Sequence, residues 1–458
     1  MITFLYLMTF IIIALIVIKK IIKDKSISLY SFLAISIAIL YLFVPAVVFL
    51  LGAYDKQSSD LIEIIYTSSN QERLEIYFLV LLSFLLISAF QKIKIGNSIT
   101  NKITLSNEFK TSKLPTITHK ICLSWFWVLW GIGIFCTAII VFYIGIKGLI
   151  IYSGSSRGEG ELQLESGSLF SYAVNFSRLL IASLAPGIIA YEIKKNFKMK
   201  ILIIITLVLS LLLQIFNAGK TNFIIFLVPL FIYWVYKQNV IKIKHLAIIA
   251  IAMIALVPLL DNVFYYISSG ESVGKYRESW NILNYVVSIA KQFAYPYSNM
   301  VMRKPITEFF GFRFFIDYLA TVINVVPATL LGGFQLDTLY HLTTSYYQNV
   351  LSHQGGMPND FIFFCYRQFG VVGIMVISLI TGILVKWLDE ILFETKNLLS
   401  ALNINSSHLY TTFCFAGVVF VLIEPLSFLM SFPAIVFAII ITIHIKHSLR
   451  VALDKEDV

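Results

Sequence analysis

Apolar residues in this chain come in long unbroken runs, and polar residues gather in short stretches between them. Runs of that length match helices that cross a hydrocarbon layer, not strands or the stripes of a soluble helix. Eleven predicted helices follow, at about 2–18, 29–52, 75–91, 121–145, 169–191, 201–217, 222–236, 246–262, 369–387, 409–426 and 430–445. The connections are uneven, and one of them, over 263–368, is far longer than a connection between spans requires. The expected fold is all-α: a polytopic transmembrane helix bundle of about 11 spans with a large helical loop. Three regions follow: 1–262 with the first eight spans, 263–368 as the loop, and 369–458 with the last three spans and a tail.

Composition agrees with this reading. The 458 residues are 58% hydrophobic and 13% charged, where a water-soluble surface needs roughly 25% charged. The net charge of +10 does not point to nucleic acid, because the cations lie in clusters between apolar runs. Such clusters report topology. Lys19, Lys20, Lys23 and Lys25 follow the first apolar run instead of preceding it, so that run reads as a span and not as a cleaved leader. Placing these lysines in the cytoplasm puts the N-terminus outside and the C-terminus inside. Cys122, Cys136, Cys365 and Cys414 all fall in apolar stretches with no paired spacing, and neither a disulfide nor a zinc site is expected.

The two faces then differ in kind. Inside stand lysines and one arginine, Arg450. Outside or within spans stand Arg73, Arg157, Arg178, Arg277, Arg303, Arg313 and Arg367, seven of the eight arginines. A lysine suffices as a topological point charge, whereas arginine presents a planar fork that fits phosphate or carboxylate. The outer face is therefore expected to bind an anion. One outer loop, 146–168, is rich in Gly and Ser around Arg157. The large loop interleaves Arg277, Arg303 and Arg313 with aromatics including Tyr295 and Tyr297. Runs such as WNILNYVVSIAKQFAY suit helices lying at the membrane surface. They fit either a sugar phosphate held near the interface or an aromatic anchor without a ligand.

Other charges allow two readings each. Arg178 sits inside a predicted span, where it either lines a cavity or pairs with Glu424 or Asp261. Lys220 occupies the outer turn NAGKTN, and no glycine stands five residues before it, so this is not a nucleotide-binding loop. It either meets a phosphate or is a turn lysine. Glu424 reads as a counter-ion or a base, and His341 and His353 as groups that titrate near neutral pH or as solvated loop histidines. No paired-histidine, metalloprotease or serine-hydrolase motif is present.

The most distinctive segment is GGMPNDFIFFCYRQFGVVGIMVISLITGIL, in which Asn359-Asp360 enters a long helix followed by Arg367, Phe369-Gly370 and Gly373. With NAGKTN, the aromatic-proline run KQFAYPYSNM and the arginine-rich outer loop, it resembles the O-antigen or oligosaccharide repeat-unit polymerase family of bacterial surface polysaccharide pathways. The resemblance implies an inner-membrane glycosyltransferase that moves a growing glycan from undecaprenyl pyrophosphate to a second lipid-linked repeat unit. Arg157, Arg178, Lys220, Arg277, Arg303 and Arg313 are then the expected diphosphate ligands, since cations stabilise the charge developing on the leaving group. Asp360, His353 and Asp317 are the expected bases, in that order, and Tyr295 and Tyr297 would position sugar rings. No cofactor or metal is expected. The implied partners are undecaprenyl-pyrophosphate-linked glycans, membrane lipid and a chain-length regulator. An O-antigen ligase shares this layout and chemistry. A flippase or other transporter would show two similar halves, which the sequence lacks.

Overall fold

The computed structural model describes residues 1–24, 28–51, 60–92, 113–155, 169–216, 293–324, 331–351, 357–401 and 433–454, with residues 248, 286, 290 and 326. Every regular element among them is helical. The N-terminal region contributes α1 (Ile2–Asp24), α2 (Leu29–Ala38), a π-helical segment (Ile39–Phe43), α3 (Val44–Leu51), α4 (Asp60–Thr67) and α5 (Asn70–Ala89). There follow α6 (Lys113–Ser155), α7 (Leu169–Ser177), α8 (Leu179–Ile193) and α9 (Phe197–Phe216). The large-loop region holds α10 (Tyr295–Val301), α11 (Arg303–Phe310), α12 (Ile316–Ile323), α13 (Leu339–Leu351) and α14 (Phe361–Phe369). The chain closes with α15 (Val371–Ala401) and α16 (Pro433–Asp454).

Five described helices are long and apolar enough to cross a membrane: Ile2–Lys23, Leu29–Leu51, Pro115–Gly145, Tyr172–Ile193 and Val371–Phe393. They coincide with five of the sequence-predicted spans. The predicted spans at 75–91, 201–217 and 430–445 overlap α5, α9 and α16. Those at 222–236, 246–262 and 409–426 lie outside the described residues.

Two sets of helices pack around one core. One set joins α6, α7, α8, α9 and α16; the other joins α1, α2, α3, α4, α5 and α15, and α15 meets α16 between them. Local caps fix where elements begin. A reciprocal capping box joins Ser69 and Glu72 at the start of α5. Ser28 caps α2 by accepting from the Ser31 amide.

The short helices α10, α11 and α14 depart from the expectation of surface-lying helices. They are inserted among α1, α4, α5 and the π-helical segment, with Pro296 through Val301 and Phe361 through Cys365 buried. A period of 3.6 residues gives α10, α11 and α14 one polar stripe, but it does not say what meets that stripe. Here the stripes face each other. Asn299 Nδ2 donates to Asp360 Oδ2 at 3.0 Å, and Arg367 Nη1 donates to Thr307 Oγ1 at 2.8 Å. The α10–α11 pair and α14 therefore run side by side in the same direction. By contrast α12 leaves Ile316, Tyr318, Leu319 and Val322 exposed, as a helix in contact with lipid would.

The glycines of the distinctive segment have backbone reasons. Gly370 ends α14 at φ 66°, a conformation that other residues resist, and turns the chain into α15. A side chain at Gly373 would collide with the Cys365 carbonyl, so glycine there lets α15 lie against α14.

Candidate functional site

The seam between α11 and α14 holds two fully buried arginines. Arg303, the first residue of α11, and Arg367, in the last turn of α14, are both 0% exposed. Thr307 joins them: its hydroxyl donates to the Arg303 carbonyl at 2.6 Å and accepts from Arg367 at 2.8 Å. Each guanidinium is only partly satisfied. Arg303 Nη1 donates to the Met300 carbonyl, and Arg367 Nη1 to Thr307. Nε and Nη2 of both arginines are buried with no hydrogen-bond partner among the described residues. Arg303 Nη2 is, however, ion-paired to Glu75 Oε1 at 2.7 Å.

That arrangement is costly by itself. Buried polar groups are nearly always paired, and leaving a buried charge uncompensated costs about 3–5 kcal/mol. Burial, then the neighbouring charge of Arg313, pulls the Arg367 guanidinium down to about 10, which still leaves it charged at neutral pH. In the seam Arg303 and Lys304 share one carboxylate, Glu75, and no carboxylate among the described residues is ion-paired to Arg367. The surplus N–H groups and surplus positive charge suit an anion with several acceptor oxygens.

Arg313 and Asp317 form a separate, closed arrangement. Arg313 Nη2 lies 3.0 Å from Asp317 Oδ1, its Nε reaches both carboxylate oxygens, and Nη2 also donates to the Asp337 carbonyl. Asp317 accepts further from Gln368 Nε2 at 2.8 Å and the Leu339 amide at 3.0 Å, and is 2% exposed. The expectation that Arg313 offers an open cation and Asp317 a free base gives way to a mutual ion pair. The i,i+4 spacing on α12's approach made that pairing available locally.

Asp360 is the N-cap of α14 and is buried. Its Oδ1 accepts from the Phe363 amide at 2.9 Å and from the Tyr41 hydroxyl, and its Oδ2 accepts from Asn299. Tyr41, from the π-helical segment, also accepts from the Ile362 amide at 3.2 Å. π-helical turns recur at functional sites because they re-aim side chains, and this one aims Tyr41 at the start of α14. Burial pushes the Asp360 carboxyl up to about 7 against the opposing pull of its three donors. In the described geometry Asp360 fastens α14 to α10 and the π-helical segment, and so sets where Arg367 stands.

Tyr297 does not offer a face to a sugar. Its ring is 0% exposed, packed edge-on against Tyr6 and Phe49, and its hydroxyl lies 2.9 Å from that of Tyr6. Aromatic density near an interface reads alike for core and ligand sites, which is why the sequence could not separate them. Tyr295, at the start of α10, is partly exposed. Arg178 stands at the junction of α7 and α8, in the other helix set. His341 is exposed on α13. Arg157, Lys220, Arg277 and His353, with Glu424 and Asp261, lie outside the described residues.

The residues that sequence reasoning left out are Arg367, Thr307, Glu75 and Tyr41. Arg367 carried a signal, being a lone cation within FIFFCYRQF. Thr307, Glu75 and Tyr41 carried none, since each acquires its role only by meeting a distant segment. No protein-family model, curated protein or solved structure matches the chain.

Proposed function

We propose that this membrane protein polymerises lipid-linked oligosaccharide repeat units, with Arg303 and Arg367 clasping the diphosphate of the polyprenyl carrier. One observation carries the reading: two fully buried guanidiniums, bridged by Thr307, with Nε of both and Nη2 of Arg367 lacking a hydrogen-bond partner among the described residues. A diphosphate presents several acceptor oxygens to such groups. In the reaction, an acceptor hydroxyl bonds to the anomeric carbon and its proton passes to the departing diphosphate. The bond to the diphosphate breaks, and the diphosphate leaves with the bonding electrons. Cations fixed in place beforehand, in a site sheltered from water, stabilise that departing charge without reorganising.

The topology belongs to the same proposal: about 11 spans in a bacterial inner membrane, N-terminus periplasmic, C-terminus cytoplasmic. In that orientation the starts of α1 and α5 face the periplasm, and the arginine seam lies with them. Tyr6 near the start of α1 donates to the Arg73 carbonyl at 2.6 Å, and Glu75 near the start of α5 meets Arg303.

Deleting the gene and displaying the surface glycan by gel electrophoresis tests the function. The expected product is glycan capped with a single repeat unit, restored to full length by the wild-type gene. Complete absence of repeat units from the lipid A core would favour a ligase or a flippase and reject polymerisation.

A further inference from the structure

The two guanidiniums of the seam are unequally treated. Arg303 has a carboxylate beside it, whereas no carboxylate among the described residues lies within ion-pair distance of Arg367. The carboxylate on Arg303 is Glu75, reaching in from α5. Its Oε1 is ion-paired to Arg303 Nη2 at 2.7 Å, while its Oε2 accepts a hydrogen bond from Lys304 Nζ at 2.8 Å. Glu75 is 36% exposed and Lys304 50%, whereas Arg303 is 0%. One carboxylate thus bridges an interior cation and a surface cation, with one oxygen for each.

This is the geometry of a displaceable counter-ion. An arginine sealed in the interior needs negative charge nearby to be stable before any ligand arrives. A carboxylate that bonded it squarely from both oxygens would satisfy it for good. Glu75 supplies charge from one oxygen only and leaves Nε unsatisfied, and Lys304 can keep Glu75 in water once it lets go.

We infer that Glu75 is a built-in anion that holds Arg303 in the empty site and yields it to the incoming diphosphate, moving outward with Lys304. The inference rests on the reading of Arg303 and Arg367 as a diphosphate clasp, and it adds that the protein itself competes for that clasp. Such competition lowers affinity, which favours release of the leaving group after each transfer.

The test measures binding of inorganic pyrophosphate, and separately of farnesyl diphosphate, to the full-length protein in detergent micelles by titration calorimetry. Removing a like charge next to the ligand site should tighten binding, so Glu75→Gln is expected to gain about tenfold for both probes. Glu75→Asp, which keeps the charge but cannot reach Arg303, should gain in the same direction and serves if Glu75→Gln fails to fold. Unchanged affinity in the variants, or loss of binding, would overturn the idea by making Glu75 a plain structural partner. Failure of wild type and variants alike to bind either probe would overturn it as well, together with the clasp. Tighter binding combined with normal glycan in the gene deletion would keep the displaceable carboxylate and remove the polymerase.

Discussion

Cations stand at both ends of the helix set formed by α1, α2, α5 and α15, but the two ends use them in opposite ways. Where α1 ends, Lys19 and Lys23 are exposed, and Lys20 rests over the Tyr30 ring at 4.4 Å. Nearby, Asp389 accepts from the Leu29 and Tyr30 amides at 2.6 and 3.1 Å, and Lys386 lies 3.4 Å from Glu390. Charge there closes helix ends at Asp389 and sits in water at Lys19 and Lys23. Where α1 and α5 begin, Arg303 and Arg367 are wholly buried and half-satisfied. The difference teaches that the count of cations says little about a site. A lysine in water has already met its demand for hydrogen bonds, and a buried guanidinium with idle N–H groups has not.

The largest effect that separates the ends should come from Arg367→Lys. A lysine keeps the charge but loses the fork, so polymer formed in reconstituted membranes should fall about 100-fold, consistent with one or two lost charged hydrogen bonds. The paired control, Lys19→Ala with Lys23→Ala, should change polymer less than about twofold in correctly inserted protein, as expected of surface charges. Equal losses at both ends would break the comparison.

A second effect concerns what holds the arginine end together. Tyr41→Phe removes the hydroxyl that serves both Asp360 and the Ile362 amide. Thermal unfolding should show a loss of about 1–3 kcal/mol, the usual cost of stranding buried polar groups. At the lysine end Asp389→Ala strips a helix cap, and about 1 kcal/mol is expected with polymer formation kept. A larger loss at Asp389 than at Tyr41 would reverse the ranking.

The smallest effect is a slope. Burial holds the Asp360 carboxyl near 7, above its unfolded value. The folded form therefore keeps its proton longer than the unfolded one, and stability falls as pH rises from about 4 through about 7. Asp360→Asn should flatten that fall in unfolding temperature measured between pH 5 and pH 8. An unchanged slope would mean that Asp360 does not titrate there.

Much of the frame was legible along the chain. The apolar runs marked the helices that the structure shows at 2–23, 29–51, 115–145, 172–193 and 371–393, because length and hydropathy are local properties. The candidate site was legible only in part. Arg303 was legible as a cation among aromatics, and the carboxylate four residues after Arg313 was the one local sign that set the two arginines apart. Tyr297 read as a sugar platform and packs as core against Tyr6, 291 positions earlier.

By itself the sequence determined that the chain is helical, apolar enough to span a membrane several times, and unequal in its use of lysine and arginine. Those properties follow from residue type and run length, which need no partner. Only the tertiary structure decided that α11 and α14 lie side by side, that Arg303 meets Glu75, and that Arg367 meets Thr307. Whether a buried charge is satisfied depends on atoms from segments far apart in the chain, and no local pattern records which of them will meet.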